Sequence, residues 1–254
     1  MSARSPFDLT GRTAVVTGAN TGIGQGAALA LAQAGAKVIG VGRSPLDETA
    51  ALIAETGGTF VPVKADLAQT DGLRPLCDRI WDETGAIDIL VNNAGIIRRA
   101  DALDFTEADW NAVIDTNLKS LFFLTQAFAR RVIAAGRRAK VVNIASLLSF
   151  QGGIRVASYT TSKSGLAGLT RLLANEWAAR GINVNAIAPG YIETNNTAAL
   201  RADPERSGEI LKRIPAGRWG KPEDIGGAVV FLASSASDYM HGAIVPVDGG
   251  WLAR

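Results

Sequence analysis

The 254-residue chain is poor in the residues that build metal centres and covalent cross-links: it has one cysteine, Cys77, and one histidine, His241. A lone cysteine forms no intrachain disulfide, and one residue of each kind leaves no cysteine/histidine metal site. An excess of one charge is lacking too: 26 lysines and arginines against 24 aspartates and glutamates leave +2. So balanced a chain offers no general attraction to nucleic acid or to an anionic membrane. No apolar run approaches the roughly 18 residues that span a bilayer. The stretch Met1–Thr10 is polar, without the apolar centre of a secretion signal. What is present is 47% hydrophobic and 20% charged, the balance of a chain that buries a core. These features leave a soluble, cytoplasmic protein as the expectation.

The pattern then alternates between short apolar runs and helical stretches. Thr13–Val16, Lys37–Val41, Phe60–Val63, Ile87–Val91, Lys140–Ile144, Ile182–Ile187 and Ala243–Val247 read as strands. Gly22–Ala34, Ala50–Glu55, Gly72–Glu83, Glu107–Ala135 with a break near Asn117, Tyr159–Arg180 and Pro222–Ala233 read as helices. Several strands are apolar throughout, which suits parallel strands covered on both faces. The expectation is an α/β fold: one Rossmann-like, doubly wound parallel sheet of about seven strands, as a single domain over residues 1–254. Gly190–Gly220 breaks the alternation with Asn195-Asn196, Asp203-Pro204 and Ile214-Pro215, and carries one helical patch. A long irregular insertion in a compact domain suits a substrate lid.

Two local patterns carry chemistry. Gly18-Ala19-Asn20-Thr21-Gly22-Ile23-Gly24 follows the first strand and opens the first helix. Glycines there let backbone approach backbone, and the helix N-terminus faces a pyrophosphate. Tyr159 and Lys163 are four apart on one predicted helix, so both face the same way. Ser146 stands just past the strand Lys140–Ile144, where parallel sheets open their ligand crevice. Oxidising an alcohol removes a proton while a hydride leaves to a cofactor. A phenol with a pKa near 10 needs about 4 kcal/mol of differential stabilisation to act as a base near pH 7. One ammonium at about 4 Å, in an effective dielectric of about 20, supplies that much. Lys163 is therefore expected to lower Tyr159, with Ser146 holding the substrate oxygen.

Thr17-Gly18-x-x-x-Gly22-Ile23-Gly24, Asn92-Asn93-Ala94-Gly95, Ser146, Tyr159-x-x-x-Lys163 and Pro189-Gly190 together resemble the short-chain dehydrogenase/reductase family over essentially the whole chain. The resemblance implies further roles. Asp66 and Leu67 would contact the adenine, and Asn93, Ala94 and Gly95 would pack along the adenosine side. Asn117 would hold a water in a proton relay to Lys163, which would also bind the ribose. Pro189, Gly190, Ile192 and Thr194 would line the nicotinamide side. A homotetramer packed through the helices around Leu118–Ala135 and Ser158–Arg180 is implied as well. Stretches flanking the site, among them Gly95–Arg99, Ser149–Arg155, Asn183–Asn196 and Arg213–Gly220, are similar to the family's hexonate dehydrogenases. The implied substrate is a sugar acid, 2-dehydro-3-deoxy-D-gluconate or 2-deoxy-D-gluconate. Gluconate and a 3-oxoacyl thioester are the alternatives, and a redox sensor without turnover is the alternative outside enzymes.

A sugar acid brings a carboxylate that favours arginine. Arg98, Arg99 and Arg155 are the candidates, with Gln151 and Asn195-Asn196 for hydroxyls. Cofactor choice divides. Gly42 stands where an NAD site carries an acidic residue, and Arg43 follows it, which favours the 2′-phosphate of NADP. Thr21 is not basic, unlike the NADP pattern, and the hexonate enzymes favour NAD. The reading is NAD, with NADP as the alternative.

Overall fold

The computed structural model describes residues 5–254; the first four residues of the polar stretch Met1–Thr10 lie outside them. Seven parallel strands form one sheet in the order β3-β2-β1-β4-β5-β6-β7. They are β1 (Thr13–Thr17), β2 (Lys37–Gly42), β3 (Thr59–Lys64), β4 (Ile89–Asn92), β5 (Ala139–Ile144), β6 (Ile182–Pro189) and β7 (Ile244–Val247). The helices are α1 (Gly22–Gln33), α2 (Asp47–Glu55), α3 (Leu73–Thr84), α4 (Glu107–Ile114), α5 (Ser120–Ala134), α6 (Ala157–Trp177), α7 (Ala198–Ala202), α8 (Pro204–Arg213) and α9 (Pro222–Ala233). The α/β architecture is the expected one. The apolar strands carry it: β4 and β6 are buried at every residue, because helices cover both faces. Leu76, Ile80, Phe128, Val132 and Leu173, from α3, α5 and α6, pack on one face. Ala27, Leu31, Ile53, Ile225 and Val229, from α1, α2 and α9, pack on the other. Pro62 has no N–H for a ladder and sits on the edge strand β3, where that loss is tolerated.

Several boundaries differ from the sequence reading. Helix α2 begins three residues earlier than Ala50, and β4 starts two residues later than Ile87. The break near Asn117 is real but continuous: residues 115–119 form a π-helical turn joining α4 to α5. The extra residue in that turn carries Asn117 inward, to 1% exposure. Residues 190–220 hold two helices, α7 and α8, rather than one helical patch. Asp203 ends α7 in extended backbone and caps α8 through Arg206 N, with Pro204 at the first position, so the chain restarts where a single helix was expected.

The sheet order reverses between β1 and β4, which opens a crevice at the carboxyl ends of those strands. A buried polar ladder fixes the strand ends beneath it. Asn92 Nδ2 donates to Thr125 Oγ1 and to Asn143 Oδ1, both at 2.9 Å, and Asn143 Nδ2 donates to Thr170 Oγ1 at 2.9 Å. Every member is satisfied, so β4, β5, α5 and α6 are held in one register.

Candidate active site

Four strand ends deliver the site. After β1 the chain turns through Gly18, at φ +66°, into α1. A Cβ at Gly24 would collide with the Gly18 carbonyl oxygen, and one at Gly18 would stand 2.9 Å from Asn93 Nδ2. Only glycine lets these backbones approach. Thr21, the residue preceding α1, makes no side-chain capping bond, and no acidic residue stands in the first turn. The first N–H groups of α1 therefore face outward with the positive end of the helix dipole, a seat for a pyrophosphate. Among the described residues no group of three His, Cys, Asp or Glu is placed to hold a metal ion.

A cavity of about 120 Å³ lies beside this loop. Its walls include Ile23, Asn93, Gly95, Ser146, Tyr159, Lys163, Pro189, Gly190, Ile192 and Thr194, so three of the four expected catalytic residues meet there with seven of the expected cofactor-binding ones. It also includes Ile144, Ala145, Asn196 and Thr197, of which Ile144, Ala145 and Thr197 were not read from sequence. Thr197 closes a capping box that its sequence does not signal, since threonine stands where glutamate or glutamine is usual: its Oγ1 accepts from Thr194 N at 3.1 Å and donates to Ile192 O at 2.6 Å. Asn93 also has a structural task. Its Nδ2 donates to Thr17 O and Gly18 O, at 3.0 and 3.1 Å, and so pins the phosphate loop. Ala94 N donates to Thr17 Oγ1 from the same turn. Asp66 and Leu67 follow the end of β3; Asp66 is exposed, with Oδ1 accepting from Ala68 N, and Leu67 is buried. Asn20 carries its carbonyl to Gln25 Nε2 at 3.4 Å. Arg43 is exposed at the end of β2, and Gly42 beside it has room for a Cβ, the nearest atom being 3.5 Å away.

The electrostatics of the acid/base pair differ from the sequence estimate. Lys163 is 5% exposed, and its ammonium donates to Ile144 O at 2.6 Å. Burial pushes it down to about 8. Its Nζ lies 5.6 Å from the centroid of the Tyr159 ring. Burial raises the Tyr159 phenol above its ordinary value; the Ser146 hydroxyl bonded to it and the Arg99 guanidinium draw it down. Without bound cofactor, the groups that oppose burial at the phenol are Ser146 and Arg99. Asn117 has a structural task. Its Oδ1 accepts from Ile96 N at 2.8 Å, and its Nδ2 donates to Ile96 O at 2.9 Å. Its amide thus holds the loop after β4.

The three candidate arginines separate. Arg98 Nε pairs with Asp109 and Arg155 Nε with Asp101, each at 3.2 Å. Arg155 stands at φ +63°, the left-handed region, and its carbonyl accepts from Ala100 N at 3.1 Å. Arg99 has no carboxylate partner among the described residues; its Nη2 donates to Asn196 O at 2.8 Å, across the mouth of the cavity. Asn195 is exposed and does not line the cavity. The Oε1 of Gln151 accepts from Trp251 Nε1 at 3.3 Å, so only the other half of its amide is free for a ligand.

The glycine cradle, the uncapped helix and the Ser146–Tyr159–Lys163 cluster are what a nicotinamide oxidoreductase requires. A family model described as enoyl-(acyl carrier protein) reductase matches residues 18–252. The chain belongs to the short-chain dehydrogenase/reductase family. It is an oxidoreductase, and the family uses NAD(P). A relative from Escherichia coli (strain K12), named 2-dehydro-3-deoxy-D-gluconate 5-dehydrogenase, is 60% identical over 250 residues, covering 98% of this chain and 99% of its own. A crystal structure from Agrobacterium tumefaciens, of a candidate 2-deoxy-D-gluconate 3-dehydrogenase with bound NADP, is 63% identical with a TM-score of 0.94, covering 99% of this chain and 100% of its own. A gluconate 5-dehydrogenase from Burkholderia cenocepacia, in complex with NADP and tartrate, is 40% identical with a TM-score of 0.93, covering 98% of both chains.

Proposed function

We propose that the enzyme transfers a hydride between NAD(P) and a sugar acid, 2-dehydro-3-deoxy-D-gluconate or 2-deoxy-D-gluconate. The observation that carries this reading is Arg99, a guanidinium without a carboxylate partner among the described residues, close enough to the Tyr159 phenol to bias its ionisation and tethered to the segment that covers the cavity. A cation there suits an anionic substrate, and among the described residues its one hydrogen bond, to Asn196 O, leaves the charge uncompensated. The names carried by the 60% identical relative and by the 63% identical structure support the same substrate class.

In this reading Tyr159 gives and takes the proton of the reacting oxygen, and Ser146 holds that oxygen against the phenol. Lys163 is the buried cation that holds the cofactor ribose beside them, and Asn117 positions the loop that carries Arg99. When bound, the nicotinamide supplies the hydride acceptor or donor. The pyrophosphate sits on the N–H groups of α1, and Asp66 faces the adenosine. Residues 190–220 form the lid of a single domain; they are closed at the neck by a bridge between Ile192 and Gly220. Half-exposed Phe123 on α5 and Leu172 on α6 suit a homotetramer packed through those helices. Among the described residues no helix is long and apolar enough to cross a membrane, and with the single buried thiol this supports a cytoplasmic setting.

For the cofactor, non-basic Thr21 supports NAD, whereas Gly42 and exposed Arg43 leave a place for a 2′-phosphate. We propose that both are accepted, with kcat/KM for each deciding the order; a hundredfold preference for NADP refutes NAD as the leading choice. A thioester reductase would want a free basic face for an acidic carrier protein. The arginine pairs do not supply one: Arg131 is paired with Asp82, Arg137 with Asp88 and Arg138 with Asp238, which among the described residues leaves exposed Arg130 as an isolated cation rather than a face. The test is to incubate the protein with 2-dehydro-3-deoxy-D-gluconate and with D-gluconate, each with both cofactors in the appropriate redox state, following nicotinamide absorbance. Activity confined to gluconate moves the substrate to the neighbouring enzyme. Silence with both overturns the substrate assignment.

A further inference from the structure

The carboxyl-terminal residues form a strap that joins three parts of the active site. Asp248 sets its turn, with Oδ1 accepting from Gly250 N and Oδ2 from Leu252 N, both at 2.9 Å. Trp251 is 4% exposed. The Arg213 guanidinium, at the end of α8, lies 4.1 Å from its ring centroid, and the Tyr191 ring lies 4.7 Å away. Ala216 N donates to Gly249 O at 2.9 Å, and Arg254 Nη2 to Lys212 O at 2.7 Å. On its other side, Trp251 Nε1 donates to Gln151 Oε1. Gln151 belongs to the loop that leads from Ser146 to α6.

An indole N–H only donates, so it takes the carbonyl half of the Gln151 amide and fixes the other half, an NH2, away from itself. That NH2 makes no protein hydrogen bond among the described residues. It is a donor held in one orientation on the loop that follows Ser146, and Ser146 lines the cavity that, in the reading above, receives a substrate of hydroxyls and a carboxylate. We propose that Trp251 is a positioning residue for substrate: it presents Gln151 as a donor and fixes α8 against the cleft, while the cofactor seat stands apart from it. This rests on the proposed sugar-acid reading.

Trp251→Phe keeps an aromatic ring under Arg213 and removes the N–H together with part of the indole volume. It should raise KM for 2-dehydro-3-deoxy-D-gluconate about 5- to 10-fold, with kcat and the NADPH dissociation constant, followed by fluorescence, within twofold. Trp251→Phe should add nothing in a Gln151→Ala background, because both changes remove one interaction. An unchanged KM, or additive effects in the double variant, overturns the proposal. Trp251→Ala adds a readout that needs no substrate. Backbone hydrogen exchange should quicken in residues 147–155 and 204–213 and stay unchanged at α1. If the wild-type protein turns over no sugar acid, the substrate reading has failed. The strap is then judged by exchange alone, and unchanged exchange in both segments overturns it.

Discussion

Replacing Lys163 by methionine should make the cofactor-free protein more stable and disable it as an enzyme. The ammonium is buried, its one hydrogen bond among the described residues is to Ile144 O, and burial brings its pKa from 10.5 to about 8. A lysine whose folded pKa lies below its unfolded value weakens the fold most when both states are protonated, which is below about pH 8. The gap of about 2.5 units corresponds to about 3 kcal/mol, and it closes as pH rises from about 8 to 10.5. Methionine has a similar stem and carries no charge. It leaves the Ile144 carbonyl without its donor, at a cost of about 1 kcal/mol. The net gain at pH 7 is about 2 kcal/mol. In a chain of this size that is a rise in melting temperature of about 4–8 °C. Thermal melts of wild type and Lys163→Met, without cofactor, at pH 7, 9 and 10.5 decide it. The variant should lead at pH 7, lead by less at pH 9, and fall level or slightly behind at pH 10.5. A wild-type advantage at pH 7, or a difference independent of pH, would refute the argument that this lysine is held in place against a desolvation penalty.

Arg99→Ala should raise KM for the sugar acid about 10- to 150-fold, the range of a lost charge-assisted hydrogen bond, and leave a neutral alcohol substrate little affected. Because Arg99 draws the Tyr159 phenol down, its loss should also move the acidic limb of the oxidation pH profile upward; a fixed limb contradicts this. Tyr159→Phe should cost at least a hundredfold in kcat while the NADPH dissociation constant stays within threefold, measured by fluorescence titration. Gly42→Asp has room for its Cβ, 3.5 Å from Leu46, and places a carboxylate where a 2′-phosphate would lie. It should lower kcat/KM for NADP at least tenfold without a loss for NAD, and equal losses for both count against the site.

The strands were legible because burial on both faces makes parallel strands apolar throughout, a signal that survives without any partner in view. The phosphate loop and Tyr159-x-x-x-Lys163 were legible because local geometry fixes them: a turn that tolerates only glycine, and one helical repeat. Residues 190–220 were harder, since Asp203 and Pro204 signal a break and a new helix within the same three-residue stretch. In that segment, local propensity names a boundary without saying what lies on either side of it.

Interactions between distant segments set the rest. Arg98, Arg99 and Arg155 are equivalent in sequence, each an arginine in a loop beside a strand end or helix start. They become different only when Asp109 and Asp101 fold beside two of them and leave the third facing Asn196. The same holds for the charge on Tyr159. Spacing along α6 places Lys163 on the correct face but gives no distance to the phenol, and it says nothing of Arg99, 60 residues earlier in the chain. A coulombic estimate needs a distance, and helical periodicity supplies only a direction. The partner of a functional charge is therefore the feature that tertiary structure adds. In this enzyme the added partner is a cation that would be shared between an anionic substrate and the group that moves its proton, so substrate choice and catalytic ionisation should change together when Arg99 is altered.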